Sequence, residues 1–422
     1  MKALVDIVAK HKRGSPVGVY SLCSAHPLVI EAALREAHAD DVPLLVEATS
    51  NQVNQFGGYT GMRPEAFRVF VHGIAARVGV PAERVWLGGD HLGPNAWRNE
   101  PAAVSMARAQ ELVEQFVAAG FRKLHLDCSM PCADDASPLP ESTVASRAAV
   151  LCAAAERTWQ RVGGEAPVYV IGTEVPAPGG ADDDLHELRV TTPEAARATI
   201  AAHRSAFADA GFADAWPRAL ALVVQPGVEF DHHKVIDYQP DHARALSASI
   251  AADPQFVFEA HSTDYQTPAN LRALVRDHFA ILKVGPAATF ALRETLWALD
   301  AIERELSGTD AGGLRAAVMA VMHADPRQWR GYYRDDGGLA LDLSYSLSDR
   351  IRYYWPHPDV QQACASLLAS LRRRPPPLTL VSQYLPLQHG AIRSGQLEPS
   401  VDALLHDGIA RALRPYLRAC EP

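Results

Sequence analysis

At 422 residues, 48% of them hydrophobic, the chain is long enough for two or three average domains, or for one barrel of about 250 residues with appendages. A net charge of −9 argues against a nucleic-acid or anionic-membrane partner, both of which want a basic face, so an anionic substrate would need local arginines or lysines. The six cysteines are scattered, and Cys128 and Cys132 stand one residue too far apart for a C-x-x-C motif, so neither a disulfide framework nor a zinc knuckle is expected. The opening Met1-Lys2-Ala3-Leu4-Val5-Asp6 is too acidic and too briefly apolar for a signal peptide. No apolar run of about 18 residues follows, and a cytoplasmic protein is expected.

In chain order, a short helix about Val5 to His11 precedes a strand from Pro16 to Leu22. Ser24 is placed to cap the next helix, with Pro27 in its first turn and Leu28, Ile30, Ala33 and Leu34 on its buried face. A strand from Val42 to Glu47 ends in a polar stretch and a glycine-rich loop, followed by a helix from Pro64 to Val78. The next strand carries the apolar Trp86 and Leu87 into Gly88, Gly89, Asp90 and His91, and Gly93-Pro94 then turns the chain away. A helix from Pro101 to Ala119 closes at Gly120, and a strand from Lys123 to Leu126 ends in Asp127. The alternation continues with a helix (Ser142 to Val162), a strand (Val168 to Gly172, ending in Thr173-Glu174), a helix (Pro193 to Ala210) and a strand (Ala219 to Val224, ending in Gln225). After the polar stretch Glu229 to His233 come a helix (Asp241 to Ala251), a strand from Phe256 leading into Glu259, His261, Ser262, Thr263 and Asp264, a helix (Pro268 to Asp277) and a last strand (Ala280 to Val284) ending at Gly285.

Eight strands, each followed by a helix, predict parallel pairing with right-handed crossovers, and no G-x-G-x-x-G loop marks an open dinucleotide-binding sheet. The fold class expected is therefore α/β, a (β/α)₈ barrel over residues 1–292. Residues 293–422, helical at Glu294 to Leu306, Gly313 to His323, Asp349 to Trp355, Asp359 to Arg372 and Ser400 to Ala419, form an appendage packed on it.

In such a barrel the C-terminal strand ends converge. Asp90, His91, Asp127, Glu174, Gln225, Glu259, His261 and Lys283 then become neighbours, although an isolated Asp-His pair is more often structural. Two histidines with carboxylates are a mixed nitrogen and oxygen donor set for a divalent metal, zinc foremost, with manganese, cobalt or nickel as alternatives. The expected ligands are His91, His261 and Glu174, with Asp127 fourth; Asp90, Asp264 and Glu259 are the acid–base candidates. Lys283 is expected to pair with a carboxylate such as Glu259 and to lie beside the substrate, in preference to acting as a Schiff-base nucleophile. Ser262, Thr263 and Gly285 follow the last two strands, where barrels place phosphate, and Arg350 or Arg352 could reach over that rim. His232 and His233 read as a solvated turn or lid contact. A small sugar or sugar phosphate is the expected substrate and a homo-oligomer the expected assembly.

The stretches Ser24-Ala25-His26-Pro27, Glu47 to Gln55, Gly88 to Asn95 and Ser348 to Trp355 resemble the large subunit of the class II tagatose-bisphosphate aldolases of galactitol and N-acetylgalactosamine catabolism, over essentially the whole chain. The resemblance implies a stabilising partner of a smaller aldolase subunit, or a 4-epimerase of ketohexoses or their phosphates. Asp90-His91 also resembles the pair in catalytic class II aldolases whose His binds zinc and whose Asp moves the proton, and His261-Ser262 resembles a second ligand site there. Glu174 stands where those enzymes carry another histidine, a departure that argues against ordinary aldolase activity. The expectation is a metal-dependent interconversion of tagatose and fructose skeletons.

Overall fold

The computed structural model describes residues 1–172, 188–308, 313–334 and 337–421. Eight parallel strands close into a barrel in sequence order: β1 (Val19–Leu22), β2 (Leu44–Thr49), β3 (Val85–Leu92), β4 (Lys123–Leu126), β5 (Val168–Gly172), β6 (Ala219–Val223), β7 (Val257–Ala260) and β8 (Phe279–Val284). β8 returns to β1 with Ile281 beside Val19 and Lys283 beside Ser21, so no strand edge is left open.

The lumen is layered. Its lower end is apolar: Leu45, Val168, Val257 and Ile281 pack with Met1, Leu4 and Val8 of the first helix, Lys2–Lys12, which plugs the bottom. Above them the inward positions turn ionic. Glu47 of β2, Gly88 of β3 and Lys123 of β4 share one level by register, and period-2 alternation sends Lys123 and His125 inward while Leu124 and Leu126 join the outer core. Gly88 has a steric reason to be glycine, since a Cβ there would lie 2.7 Å from Cγ of Glu47.

The β3–β4 register slips between Gly89 and Leu92: three steps along β3 answer two along β4. That is a bulge, and His91 within it takes a left-handed φ of 46°. The extra residue breaks the alternation, which is how Asp90 and His91, adjacent in sequence, both face the same lumen. Just beyond, Gly93 passes so close to β4 that a Cβ would lie 1.7 Å from the Asp127 carbonyl oxygen.

Around the barrel the helices fall close to the sequence reading, with some differences. Helix Pro27–Ala39 is capped by His26, whose Nδ1 accepts from Leu28 N–H at 3.3 Å, and not by Ser24, whose hydroxyl accepts from His26 N–H. The helix expected from Glu294 begins earlier and spans Pro286–Ser307, because Asp264 supplies an acceptor for its first amides and Pro286 needs none. Asp349 to Trp355 is not a full helix; its core is a 3₁₀ turn, Arg350–Tyr353, entered through a left-handed Asp349. Glu229–Phe230 pairs with Val235–Ile236 as a small antiparallel ribbon.

The last helix, Val401–Cys420, packs on Pro27–Ala39, Pro268–Arg276 and Pro286–Ser307. Leu404, Leu405, Leu413 and Leu417 are buried there, at about 1.5–3 kcal/mol each, and the Tyr416 hydroxyl donates to the Thr263 carbonyl at 2.6 Å. No helix among the described residues is long and apolar enough to cross a membrane.

Candidate metal centre and active site

Asp90, His91, His125 and His261 come together at the C-terminal mouth, and one ligand atom from each lies within 4.8 Å of the others. All four are buried. The His91 ring centroid is 4.7 Å from that of His125 and 4.8 Å from that of His261.

The hydrogen bonds behind these rings select their tautomers. His91 Nδ1 lies 2.8 Å from Oδ2 of Asp127, a carboxyl that burial would raise but that the bond from His91 holds well below the usual range. A carboxylate only accepts, so Nδ1 carries a proton; among the described residues the buried Nε2 has no hydrogen-bond partner and is the nitrogen left to face a metal. His125 Nε2 donates to the Gly172 carbonyl at 2.8 Å and its Nδ1 lies 3.0 Å from Asp90 Oδ1; burial would lower the pKa of this ring, but the bond to Asp90 raises it above the usual histidine value, so a metal at Nδ1 would displace a proton. His261 Nε2 lies 2.9 Å from Oε1 of Glu259. Burial lowers the His261 pKa to about 3, so this ring is neutral, with Nδ1 as its lone-pair atom. Three imidazoles, each oriented by an acceptor on its far nitrogen, together with a carboxylate form a nitrogen and oxygen donor set that fits a divalent ion, which on binding displaces any proton from the near nitrogens.

Beneath this mouth lies a cage of charge. Lys123, fully buried, reaches Oε1 of Glu47 and Oε2 of Glu259, both at 2.6 Å. Lys283 pairs with Glu47, lies 3.0 Å from Asp90 Oδ1 and is 3.8 Å from Glu259. Burial alone would lower the Lys283 pKa, but Asp90 and the neighbouring acidic groups hold it well above the ordinary lysine value. Lys283 is therefore a charged strut, the opposite of a desolvated Schiff-base nucleophile. Asp90 shows the converse balance: burial would raise it, yet His91, Lys283 and His125 keep it ionised far below the usual carboxylate range.

A cavity of about 300 Å³ opens above the cluster, lined among others by Asp90, His91, His261, Ser262, Asp264 and Lys283. Several other expected residues are placed differently. Asp127 stands behind His91, also accepting from the Ser129 hydroxyl at 2.6 Å, and so orients that ring instead of joining the cluster. Glu259 does the same for His261. Asp264 Oδ1 accepts from the amides of Gly285 (3.0 Å) and Ala287 (2.8 Å), so a carboxylate occupies the helix start where an anion was expected, and burial raises its pKa to about 6. Thr263 is fully buried, donating to the Lys283 carbonyl at 2.5 Å. Gln225 folds back onto the amides of Gly227 and Val228 and does not line the cavity. Arg350 lies beneath the rim, its Nε on the Gln328 carbonyl and its guanidinium 3.5 Å above the Tyr332 ring, whereas Arg352 lines the cavity. Glu174 lies outside the described residues. His232 spans Ser348 and the Tyr332 carbonyl, in a tertiary contact and not a solvated turn.

Reading only the strand ends missed His125, Lys123 and Glu47. The signal was present: Lys-Leu-His-Leu alternates perfectly, placing two ionisable side chains inside a barrel. Because Asp127 supports His91 from behind, Asp127→Asn should weaken divalent-metal affinity roughly 10- to 100-fold with little change in fold. Calorimetric metal titration of the folded variant checks this, and an unchanged affinity would remove Asp127 from the support.

The closed parallel barrel with its histidine and carboxylate cluster at the C-terminal mouth is the architecture of a barrel with an enzyme-like site. Residues 4–421 match the family model described as D-tagatose-1,6-bisphosphate aldolase subunit GatZ/KbaZ-like, and the chain belongs to that family. It is similar to a solved structure described as a probable tagatose 6 phosphate kinase from Sinorhizobium meliloti 1021, with 47% identity and a TM-score of 0.88, over 96% of this chain and 100% of that one. The YdjI aldolase from Escherichia coli K12 aligns at 11% identity and a TM-score of 0.39, over 86% of this chain and 94% of that one. A fructose-bisphosphate aldolase from Campylobacter jejuni aligns at 14% and 0.41, over 91% and 92%. Likeness at those last two levels says nothing of this chain's chemistry.

Proposed function

We propose that the protein is a metal-dependent ketohexose 4-epimerase that interconverts tagatose and fructose as their 6-phosphates. The observation that supports this most is the convergence of three histidines, each held on its far nitrogen, on an ionised Asp90 beneath a sugar-sized cavity. The family description, which names a tagatose bisphosphate, and the relative's, which names tagatose 6 phosphate, favour the same carbon skeleton.

In a 2-ketose, C4 is not next to the carbonyl, so deprotonation beside the carbonyl cannot invert it. Cleavage between C3 and C4, rotation of the retained aldehyde and re-addition to its other face can. His91, His125 and His261 are the residues that would hold the metal, with Glu174 a further candidate just beyond Gly172 at the end of β5. Zinc is the first expectation; a divalent ion bound there supplies polarisation of the C2 carbonyl and stabilisation of negative charge. Asp90 takes the C4 hydroxyl proton. Lys283 holds the Asp90 carboxylate in place, and Ser262 and Arg352, which line the same cavity, would take the 6-phosphate. In this reading residues 1–292 are the barrel and residues 293–422 the appendage that completes its mouth, since Arg352 and Tyr353 line the cavity.

A second reading comes from the same family description: a subunit that stabilises a smaller aldolase chain and catalyses nothing itself. Against it stands the concentration of buried charge, costly to assemble without a use. The purified protein, supplied with metal and no other subunit, should convert tagatose 6-phosphate to fructose 6-phosphate. Conversion only after addition of the smaller subunit would favour the second reading.

A further inference from the structure

The 3₁₀ turn Arg350–Tyr353 brings a phenol to the cavity from outside the barrel. The Tyr353 hydroxyl accepts from Arg352 Nη2 at 3.1 Å, and the guanidinium carbons of Arg350 and Arg352 lie 4.5 Å and 4.6 Å from its ring centroid. Among the described residues the two guanidinium groups otherwise donate to the carbonyl oxygens of Gln328, Ser348 and Asp349, and no carboxylate there bonds either of them directly. Tyr59, from the loop after β2, packs edge-on against the same ring at 4.7 Å. The remaining charged neighbour on this turn, Asp349, accepts from Thr289.

We propose that Tyr353 is a catalytic residue, the second proton carrier for the C4 oxygen, serving one epimer while Asp90 serves the other. The inference rests on the epimerase reading and deepens it. After the aldehyde has turned, its oxygen points away from the group that first deprotonated it, so a single fixed carboxylate cannot serve both configurations. Asp264 also lines the cavity, but it is tied to two helix amides. Tyr353 presents a hydroxyl held by arginines that would stabilise the phenolate it leaves behind. Its pKa direction agrees: burial would raise it, yet Arg352 and then Arg350 bring it below the ordinary tyrosine value.

Asp90 takes the C4 hydroxyl proton, the C3–C4 bond breaks, and its electron pair passes to the C2–C3 enediolate as C4 becomes an aldehyde. After rotation, C3 attacks the opposite face, the C3–C4 bond re-forms, and the C4 oxygen takes the Tyr353 proton. Asp90 is then protonated and Tyr353 is a phenolate; transfer of that one proton through solvent resets the site, with no redox change.

Tyr353→Phe removes one oxygen and keeps the ring that packs with Tyr59 and the arginines. Its kcat for interconversion should fall roughly 10²- to 10⁴-fold. Cleavage, followed by trapping the released aldehyde, should persist from the ketose that Asp90 deprotonates and vanish from the other. An alkaline ultraviolet titration of the wild-type protein against the variant should show one phenolate forming below the usual tyrosine pKa of about 10. A variant that epimerises like wild type, one that loses cleavage from both ketoses equally, or a titration with no such phenolate would overturn the role of Tyr353. A wild-type protein inert towards both ketoses would overturn the epimerase reading itself.

Discussion

Asp90→Asn should cut kcat for ketose epimerisation roughly 10²- to 10⁴-fold while leaving a folded, metal-competent protein. The amide keeps the shape of the carboxylate, and its oxygen can still accept from Lys283, which stands 3.0 Å from Oδ1. It cannot take a proton from a hydroxyl. The far nitrogens of the three histidines are held by Asp127, the Gly172 carbonyl and Glu259, none of which the substitution alters, so metal uptake through the histidines should survive although Asp90 Oδ1 lies 3.0 Å from His125 Nδ1. Steady-state kinetics alongside measured metal content make the check. A fall below about tenfold with full metal content would mean that Asp90 is not the base.

The second large effect is on stability. Lys123→Met should destabilise the fold by about 3–5 kcal/mol, because it leaves the buried carboxylates of Glu47 and Glu259 with only the Lys283 ammonium to share. Lys123 is fully enclosed and reaches Glu47 and Glu259 at 2.6 Å each, so neither water nor a side-chain shift readily replaces it. Denaturant unfolding would measure the loss. A triple variant that also neutralises the carboxylates, Lys123→Met with Glu47→Gln and Glu259→Gln, should recover part of it. A single variant as stable as wild type would show that the cage is not tightly coupled.

The barrel was legible because its strands are buried on both faces and its helices carry regular apolar stripes; β4 and β5 begin and end where the sequence reading put them. The site was legible where chemistry sits at strand ends, as at Asp90, His91 and His261. It was less so where local pattern and tertiary use diverge. His125 lies inside a strand, and only alternation combined with closure of the barrel reveals that it faces the lumen. The bulge at His91 is a matter of register between two strands, and no single-strand pattern encodes it. Ser262, Thr263 and Gly285 look like an anion cradle in sequence, but the Asp264 carboxylate bonds the Gly285 amide, a contact between two strand ends. Arg350 and Arg352 are equivalent in sequence; the left-handed Asp349 and the tight turn after it decide which reaches the cavity.

The ionic middle layer of the barrel, with Glu47, Lys123, Glu259 and Lys283 where aliphatic side chains commonly fill such a lumen, also bears on behaviour with heat. The cost of removing charged groups from water falls as temperature rises, whereas the benefit of burying apolar surface levels off. On warming, the middle of this barrel should therefore gain in relative strength over its apolar lower end. The first parts to loosen should be the helix Lys2–Lys12 and the aliphatic plug it forms, with the mouth residues held in place by the layer beneath them to higher temperature.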